Sequence, residues 1–160
     1  MPLDFIPNLY FGSDTVFLGK YTTTLDEYNR LSTSSRFSDH LIEGAYICQG
    51  FDRNLWIMTA ATFEKIYRII SAQNITDPLA RLLLRMILGT AHEFTLDADG
   101  RFPIPEDLKD FANIDKTALV IGQGDYFEVW EPALWEKQES QFSDAGANAS
   151  RFSSLAIVMH

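Results

Sequence analysis

The sequence has little of the chemistry on which most enzymes and metal-binding proteins depend. Its 160 residues include one cysteine, Cys48, so an internal disulfide is impossible. The three histidines are scattered without the spacing of metal ligands. Neither a phosphate-binding glycine loop nor a nucleophile elbow nor a Cys–His set occurs. These absences predict a protein that is not an enzyme and that takes no metal, cofactor or small-molecule substrate.

Long hydrophobic runs are missing as well. No apolar stretch reaches the roughly 18 residues that a membrane span needs, and the N-terminus lacks a basic flank followed by an apolar segment. The neighbours of Cys48, Tyr46 and Ile47, indicate a strand in which the cysteine is a small apolar residue. We therefore expect a cytoplasmic protein without membrane contact.

Positive charge is scarce. The chain has 13 Lys and Arg against 22 Asp and Glu, for a net charge of −9, which argues against wholesale attraction to nucleic acid. The imbalance is uneven, because residues 17–63 hold four bases and five acids, whereas residues 89–135 hold three bases and ten acids. The first of these segments is the better candidate for meeting an anion.

What the chain does contain is an internal repeat. Residues 25–31 (LDEYNRL) and 96–102 (LDADGRF) share Leu-Asp-x-x-x-Arg and a final apolar residue, at an offset of 71. Residues 60–65 (AATFEK) and 132–137 (PALWEK) match at an offset of 72. Two matches in the same order at nearly the same offset indicate a duplicated unit of about 45 residues.

Each Asp-x-x-x-Arg segment predicts a tight turn. Asp26 and Asp97 are of a type that bonds the backbone two residues further on. Asn29 and Gly100, which occupy equivalent positions, are the residue types that most readily take a positive φ. We expect these four residues to set the geometry of two similar turns.

The role of the arginines in these turns has two compatible interpretations. Each turn could close on an ion pair, Asp26 with Arg30 and Asp97 with Arg101, which on a surface is worth about 0–1 kcal/mol. In the second interpretation, the aspartate also holds the arginine rigid, so that its planar guanidinium group can bind phosphates or a guanine edge.

In the first repeat the pattern predicts a strand before the turn. In both repeats it predicts a short strand and a short helix after the turn, and then a hairpin and a longer helix. Strands are expected at 17–25, 31–33, 45–48, 54–58, 101–104, 118–121 and 126–130, with helices starting at a Ser34 hydroxyl cap, at Thr59, at Asp77 (ending at Gly89) and at Pro105.

This pattern divides the chain into five segments. They are an irregular extension (1–16), a first repeat (17–63), a helical linker (64–88), a second repeat (89–135), and a helix end with a mobile tail (136–160), whose apolar residues 155–159 could add a strand. The apolar faces of the linker helices predict packing on the sheet, contact with another subunit, or both.

The sequence resembles the MraZ family, whose members are double-repeat representatives of the SpoVT/AbrB-like swapped-hairpin class. The resemblance covers residues 17 to 137. It rests on 17–19 (FLG), 25–31 (LDEYNRL), 55–57 (LWI), 63–65 (FEK), 76–78 (TDP) with 80–81 (AR), 96–105 (LDADGRFPIP) and 122–130 (GQGDYFEVW).

The resemblance implies an α+β fold in which two pseudo-symmetric repeats build a duplicated swapped-hairpin β-barrel with flanking helices. It also implies a DNA-binding transcriptional regulator, chiefly a repressor of the division and cell-wall gene cluster. Such a regulator would bind promoter direct repeats in double-stranded DNA as a ring oligomer and would be associated with the nucleoid in the cytoplasm.

By motif match, Arg30 and Arg101 become the candidates for DNA contact, with Arg30 favoured because its repeat is less acidic. Lys20 and Arg36 flank the first hairpin and are candidates for phosphate contacts by position and charge. With a net charge of −9, each subunit should bind weakly, so that a ring would supply the avidity.

The first repeat departs from the family pattern. Asn29 replaces the usual glycine, Tyr28 stands where a basic residue is common, and Thr33-Ser34 replaces Ile-Pro. These changes reduce the positive charge that would face the DNA backbone. The alternative hypothesis is therefore an oligomeric scaffold of the same fold with weak or no DNA binding, which the acidic second repeat and the apolar helix faces favour.

Overall fold

The computed structural model describes residues 17–155, which form an α+β fold with antiparallel strands. The strands are β1 (Lys20–Thr24), β2 (Arg30–Ser32), β3 (Ala45–Gln49), β4 (Leu55–Thr59), β5 (His92–Phe94), β6 (Arg101–Pro103), β7 (Thr117–Gly122) and β8 (Tyr126–Trp130). The helices are α1 (Ser35–Ser38), α2 (Ala60–Ser71), α3 (Pro78–Ile87), α4 (Glu106–Phe111), α5 (Pro132–Ser140) and α6 (Ala145–Arg151), with 3-10 turns at Asp39–Leu41 and Phe152–Leu155.

Strands of the two repeats interleave in one sheet. The order is β1-β7-β8-β4-β3-β5, while β2 and β6 form a separate two-stranded ribbon. The first strand of each repeat therefore pairs with the other repeat, β1 with β7 and β5 with β3. Within residues 17–155 the sheet is open, with β1 and β5 at its edges, so that the closed barrel is not confirmed.

The pairing pattern has a pseudo-two-fold axis. In the sheet, Trp56 of β4 lies opposite Glu128 of β8, its counterpart at the offset of 72. In the ribbon, Leu31 of β2 lies opposite Phe102 of β6, its counterpart at the offset of 71. Because each residue faces its own equivalent, the axis passes through the centre of both the sheet and the ribbon.

The main core holds the ribbon against the sheet. Leu31 and Phe102 are fully buried, and the rings of Phe17, Phe37 and Phe127 lie 5.0–5.1 Å apart between their centroids. Burial of one such side chain contributes roughly 1.5–3 kcal/mol to stability. The ribbon, and the hairpin turns that its strands follow, are thereby fixed to the rest of the molecule.

Cys48 belongs to a second core beneath α2 and α3, where it is fully buried with Met58, Ile70 and Ile87. Burial raises the pKa of its thiol to about 12, so the thiol stays neutral. The prediction that Cys48 is a small apolar core residue is confirmed.

Two of the predicted helix caps are present. The Thr59 hydroxyl accepts a hydrogen bond from the Thr62 amide at 3.2 Å where α2 begins. The Asp77 carboxylate accepts one from the Leu79 amide at 2.9 Å, with Pro78 in the first turn of α3.

Other expected boundaries were wrong. Ser34 precedes α1, but its hydroxyl makes no capping hydrogen bond, and its amide donates to the Tyr21 hydroxyl at 3.0 Å. The first strand begins at Lys20 rather than at 17, because Gly19, with a φ of 93°, interrupts the extended backbone. By contrast, the predicted end of α3 is confirmed, because its last residue is Ile87, its C-cap is Leu88, and Gly89 follows directly.

The predicted tail contains regular structure. Helix α6 forms within it and begins at Asp144, whose carboxylate accepts hydrogen bonds from the amides of Gly146 and Ala147 at 3.0 and 3.1 Å. The mobility of this segment stays a prediction. The extension at 1–16 and all but the first residue of the possible strand at 155–159 lie outside the described residues.

Between residues 17 and 155, no helix has the length and apolar character needed to cross a bilayer.

Candidate nucleic-acid interface

The two Asp-x-x-x-Arg turns have nearly the same geometry. The Oδ1 atom of Asp26 accepts hydrogen bonds from the amides two and four residues further on, both at 2.9 Å. Asp97 accepts the equivalent pair, also at 2.9 Å. Each aspartate amide donates in turn to the carbonyl of its arginine, at 3.0 Å to Arg30 and 2.8 Å to Arg101. The aspartates therefore close both turns, as the sequence predicts.

The positive φ expected at the last turn position is observed in both hairpins, 59° at Asn29 and 75° at Gly100. The first turn is also bound to the second repeat. The Asn29 carbonyl accepts from the Ile104 amide at 2.9 Å, and the Asn29 side-chain amide donates to Glu106 at 3.3 Å. The tip of the first hairpin therefore depends on the other half of the chain for its position.

The ribbon brings the two turns together. Strands β2 and β6 start at Arg30 and Arg101, and their pairing is centred on Leu31 and Phe102, one residue further along each strand. The arginines, 71 positions apart in sequence, thus lie on either side of the pseudo-two-fold axis, each next to the turn of the other repeat.

The side chains form an ion-pair network across this axis. Arg30 donates from Nε to Oδ2 of Asp26 at 2.7 Å, as predicted for the first turn, and from Nη1 to Oδ2 of Asp97 at 3.3 Å. Arg101 does not pair with Asp97 within the described residues, so that part of the prediction was wrong. Its Nη1 lies 3.5 Å from Oδ2 of Asp26 instead, because the ribbon places the opposite carboxylate within reach.

Within the network, Arg30 and the two aspartates are stabilised in their charged forms. Desolvation opposes ionisation of Asp26, but hydrogen bonds from the Arg30 amide and guanidinium outweigh it and lower its pKa below the usual range. The amide of Arg101 is the main cause of a lowered pKa at Asp97. The Arg30 pKa is raised, chiefly by the hydrogen bond to Asp26.

Both guanidinium groups remain accessible. The side chains are 34% exposed at Arg30 and 39% exposed at Arg101. Asp26, which contacts both, is 21% exposed and lies deeper. Such an arrangement presents fixed N–H donors at the surface, which suits an acceptor such as a phosphate oxygen or a guanine edge.

The two hairpin tips differ in the residue at the third position of the turn. Tyr28 occupies it in the first hairpin, and its ring lies 5.0 Å from the guanidinium carbon of Arg30. The second hairpin has the exposed Asp99 there. The contact between Tyr28 and Arg30 was missed by sequence reasoning, although their i, i+2 spacing at the end of a turn could have suggested it.

Lys20 and Arg36 have different settings. Lys20 starts β1, whereas the hairpin follows the end of that strand, about 20 Å away at ~3.4 Å per residue. Its Nζ atom lies 2.6 Å from the Glu139 carboxylate on α5, so the structure does not bring Lys20 to the hairpins.

Arg36 is exposed on α1, shortly after β2, and makes no ion pair with any described residue. The roles of Lys20 and Arg36 in phosphate contact stay predictions.

The part of the chain that the structure describes contains no cluster of His, Cys, Asp or Glu side chains arranged to hold a metal ion.

Comparison with known proteins identifies relatives along nearly the whole chain. A family model described as "MraZ protein, putative antitoxin-like" matches twice, over residues 16–86 and 87–153, which confirms the internal repeat. The exact repeat boundaries at 17–63 and 89–135 stay predictions.

Curated relatives named "Transcriptional regulator MraZ" match most of the chain, as three of them show. The protein from Roseiflexus sp. (strain RS-1) is 37% identical over 137 residues, covering 86% of this chain and 94% of the relative. That from Herpetosiphon aurantiacus is 34% identical over 143 residues, covering 89% and 100%. The protein from Salinispora arenicola is 35% identical over 133 residues, covering 81% and 94%.

Proposed function

Since this chain belongs to the MraZ family, we propose that it is a transcriptional regulator, not an enzyme, and that it binds double-stranded DNA in a sequence-specific manner. In this proposal it represses the division and cell-wall gene cluster by binding direct repeats in the promoter. Its location would be the cytoplasm, on the nucleoid. The names of the relatives support the regulatory role, and the hairpin geometry supports the choice of ligand.

The observation that carries the proposal is the convergence of Arg30 and Arg101 at the ribbon. Two arginines from distant parts of the chain meet on one surface, with their backbone fixed by the Asp26 and Asp97 turns. A pre-oriented guanidinium loses less conformational entropy when it binds than a free one does. The site is thus suited to direct contacts with base edges rather than to general attraction of the DNA backbone.

Electrostatics predict that one subunit binds weakly. The tips carry Glu27 and Asp99 in addition to the aspartates of the network, so acids outnumber the two arginines there. Long-range attraction to phosphates is therefore small, and several subunits acting together would be needed for tight binding. This is the physical basis for including a ring oligomer in the proposal.

A surface for self-association is available on the linker helices. Ile69 in α2, Ile75 in the connection, and Leu79 and Leu82 in α3 are 60–72% exposed. We assign this apolar surface, called here the linker face, to contacts between copies of the chain. The interleaved strand order supports in addition the swapped-hairpin class, in which the ribbon would complete a barrel over the open sheet.

The test is binding of the promoter fragment upstream of the protein's own gene cluster, measured by fluorescence anisotropy at two salt concentrations. We expect Arg30→Ala and Arg101→Ala each to reduce affinity by roughly 10- to 100-fold, the range for loss of a base-contacting arginine. Arg68→Ala is the matched control, because this arginine is exposed on α2 and, among residues 17–155, has an ion pair with Glu64 alone. It removes the same charge and should leave binding nearly unchanged.

The scaffold alternative gives a different result. It predicts that the wild-type chain assembles but shows no preference for the promoter fragment over a scrambled duplex of equal length at low salt. Equal affinities for the two duplexes, or equal effects of Arg68→Ala and Arg30→Ala, would reject specific DNA binding through the hairpins.

A further inference from the structure

The exposed ring of Tyr28 lies at the tip of the first hairpin. The side chain is 66% exposed, although its backbone is well anchored, because the Tyr28 amide donates to Oδ1 of Asp26 at 2.9 Å. Its ring centroid lies 5.0 Å from the guanidinium carbon of Arg30. A large aromatic side chain is thus fixed at its base, stacked on an arginine, and open to a ligand on its outer side.

This arrangement fixes the plane of Arg30. Asp26 binds the Nε side of the guanidinium, Asp97 binds Nη1, and the Tyr28 ring covers a face. Among residues 17–155, Nη2 makes no hydrogen bond, and Nη1 has a second N–H to offer. Nη2 and one N–H of Nη1 are therefore left for other acceptors, and two N–H donors are the number that the O6 and N7 atoms of guanine require.

The second hairpin lacks this feature. Asp99 occupies the position equivalent to Tyr28, and within residues 17–155 Arg101 has a single ion pair, at 3.5 Å. The two arginines are therefore not interchangeable, because the Arg30 guanidinium has three neighbours among the described residues and the Arg101 guanidinium has one ion-pair partner there. Any base preference that depends on a fixed arginine and a neighbouring ring belongs to the first hairpin.

We propose that Tyr28 is a specificity-determining residue, which positions Arg30 by stacking and makes an apolar contact with the thymine beside the guanine that Arg30 contacts. The inference rests on the proposed DNA binding. In this proposal Arg30 donates to a guanine edge in the major groove, and the ring of Tyr28, 5.0 Å from its guanidinium carbon, contacts the next base pair. In that groove the C5-methyl group of thymine is the apolar feature available to an aromatic ring.

The experiment is selection from a random-sequence duplex library with the full chain and its Tyr28→Phe and Tyr28→Ala variants. Wild type and Tyr28→Phe should enrich a motif in which thymine adjoins a guanine, since both retain the ring. Tyr28→Ala should keep the guanine and lose the thymine preference. Tyr67→Ala, which removes an exposed tyrosine of α2 far along the chain from the hairpins, should leave the motif unchanged.

A second measurement isolates the methyl group. Replacing the thymine of the enriched duplex by deoxyuridine should weaken wild-type binding by about fourfold, the equivalent of one buried methyl group, and should not affect Tyr28→Ala. Because Tyr28 is mostly exposed, its truncation leaves no cavity, and thermal melting of each variant checks that the fold is intact.

The possible failures are distinguishable. If wild type enriches no sequence, the proposed DNA binding fails, and the inference fails with it. If wild type enriches a motif that Tyr28→Ala enriches with the same base preferences, DNA binding stands and the role of Tyr28 is rejected.

Discussion

The guanidinium of Arg30 lies 3.3 Å from the carboxylate of Asp97, a residue of the other repeat. Together with the contact from Arg101 to Asp26, this pair makes the two hairpins a single charged unit. The unit is not symmetrical, because Asp26 receives side-chain donors from both arginines and Asp97 from only one. A change in either repeat should therefore alter the donors presented by the other.

The asymmetry predicts unequal effects of two otherwise identical substitutions. Asp26→Asn should weaken binding of the promoter fragment more than Asp97→Asn, because it removes the negative charge that orients both arginines. Asparagine still accepts hydrogen bonds from backbone amides, so both variants should keep their turns. Anisotropy titrations of the two variants check this. Equal losses of affinity would show that the arginines act independently.

The positive φ at Asn29 predicts that two substitutions at this position differ in their effect on stability. With a φ of 59°, Asn29→Ala should lower the free energy of unfolding by about 1–2 kcal/mol, whereas Asn29→Gly should be nearly neutral. Gly100→Ala makes the same comparison in the second turn. There φ is 75°, and the added Cβ would meet only Ser38, at 3.8 Å, so that the cost would come from the backbone conformation. Urea titrations give the values. A stable Asn29→Ala would mean that the first turn can take another conformation.

The titration of Glu128 predicts a pH-dependent stability. Burial, opposed by a hydrogen bond from Nε1 of Trp130 at 3.0 Å, raises the pKa of this carboxyl above its ordinary value of 4.5. The folded chain therefore holds the proton to a higher pH than the unfolded chain. Stability falls as pH rises through the interval between 4.5 and the folded pKa, and the loss is complete above that interval.

Glu128→Gln should therefore be more stable than wild type at pH 7, and this difference should shrink towards pH 4. Glutamine keeps an acceptor for Trp130 and cannot ionise. Glu136→Gln, at an exposed position on α5, serves as the control with the same loss of charge. Urea unfolding at several pH values measures both. A difference that does not change with pH would show that Glu128 ionises normally in the fold.

A substitution in the linker face should prevent assembly without affecting the folding of the subunit. Leu82→Glu places a charge at a position that is 60% exposed, so the subunit should fold with unchanged stability but fail to assemble. Leu18→Glu, at a position 58% exposed beside β1, should leave assembly intact. Light scattering at micromolar concentration compares the two. An unchanged mass for Leu82→Glu would place the subunit contact elsewhere.

Features whose cause is local in the chain could be predicted from the sequence. The left-handed backbone at Asn29 and the caps at Thr59 and Asp77 each depend on a residue and the few that follow it. Helix α6 has a local cause too, the Asp144 cap. Its small and polar residues nevertheless have the composition of a mobile tail, and that composition alone does not indicate a helix.

Contacts that depend on distant pairing could not be predicted from the residues themselves, although the family resemblance implies that the two repeats fold together. No property of Arg101 or Asp26 alone indicates that they meet, because the contact requires that β2 pairs with β6. The repeat was visible in the sequence, but repeats can stack side by side as well as interleave. For the same reason Lys20, near the first hairpin in sequence, was expected beside it in space, although β1 carries it away towards Glu139.

The facing pair of Trp56 and Glu128 shows what it means for both repeats to share a chain. In a complex of two identical subunits, a residue at this place would have to face its own copy, tryptophan against tryptophan or glutamate against glutamate. The second choice would set two like charges against each other in a half-buried site. With both halves covalently joined, each position can be occupied independently, and an indole here lies opposite a carboxyl group. The chain thus has combinations of side chains at its centre that no assembly of identical halves could have.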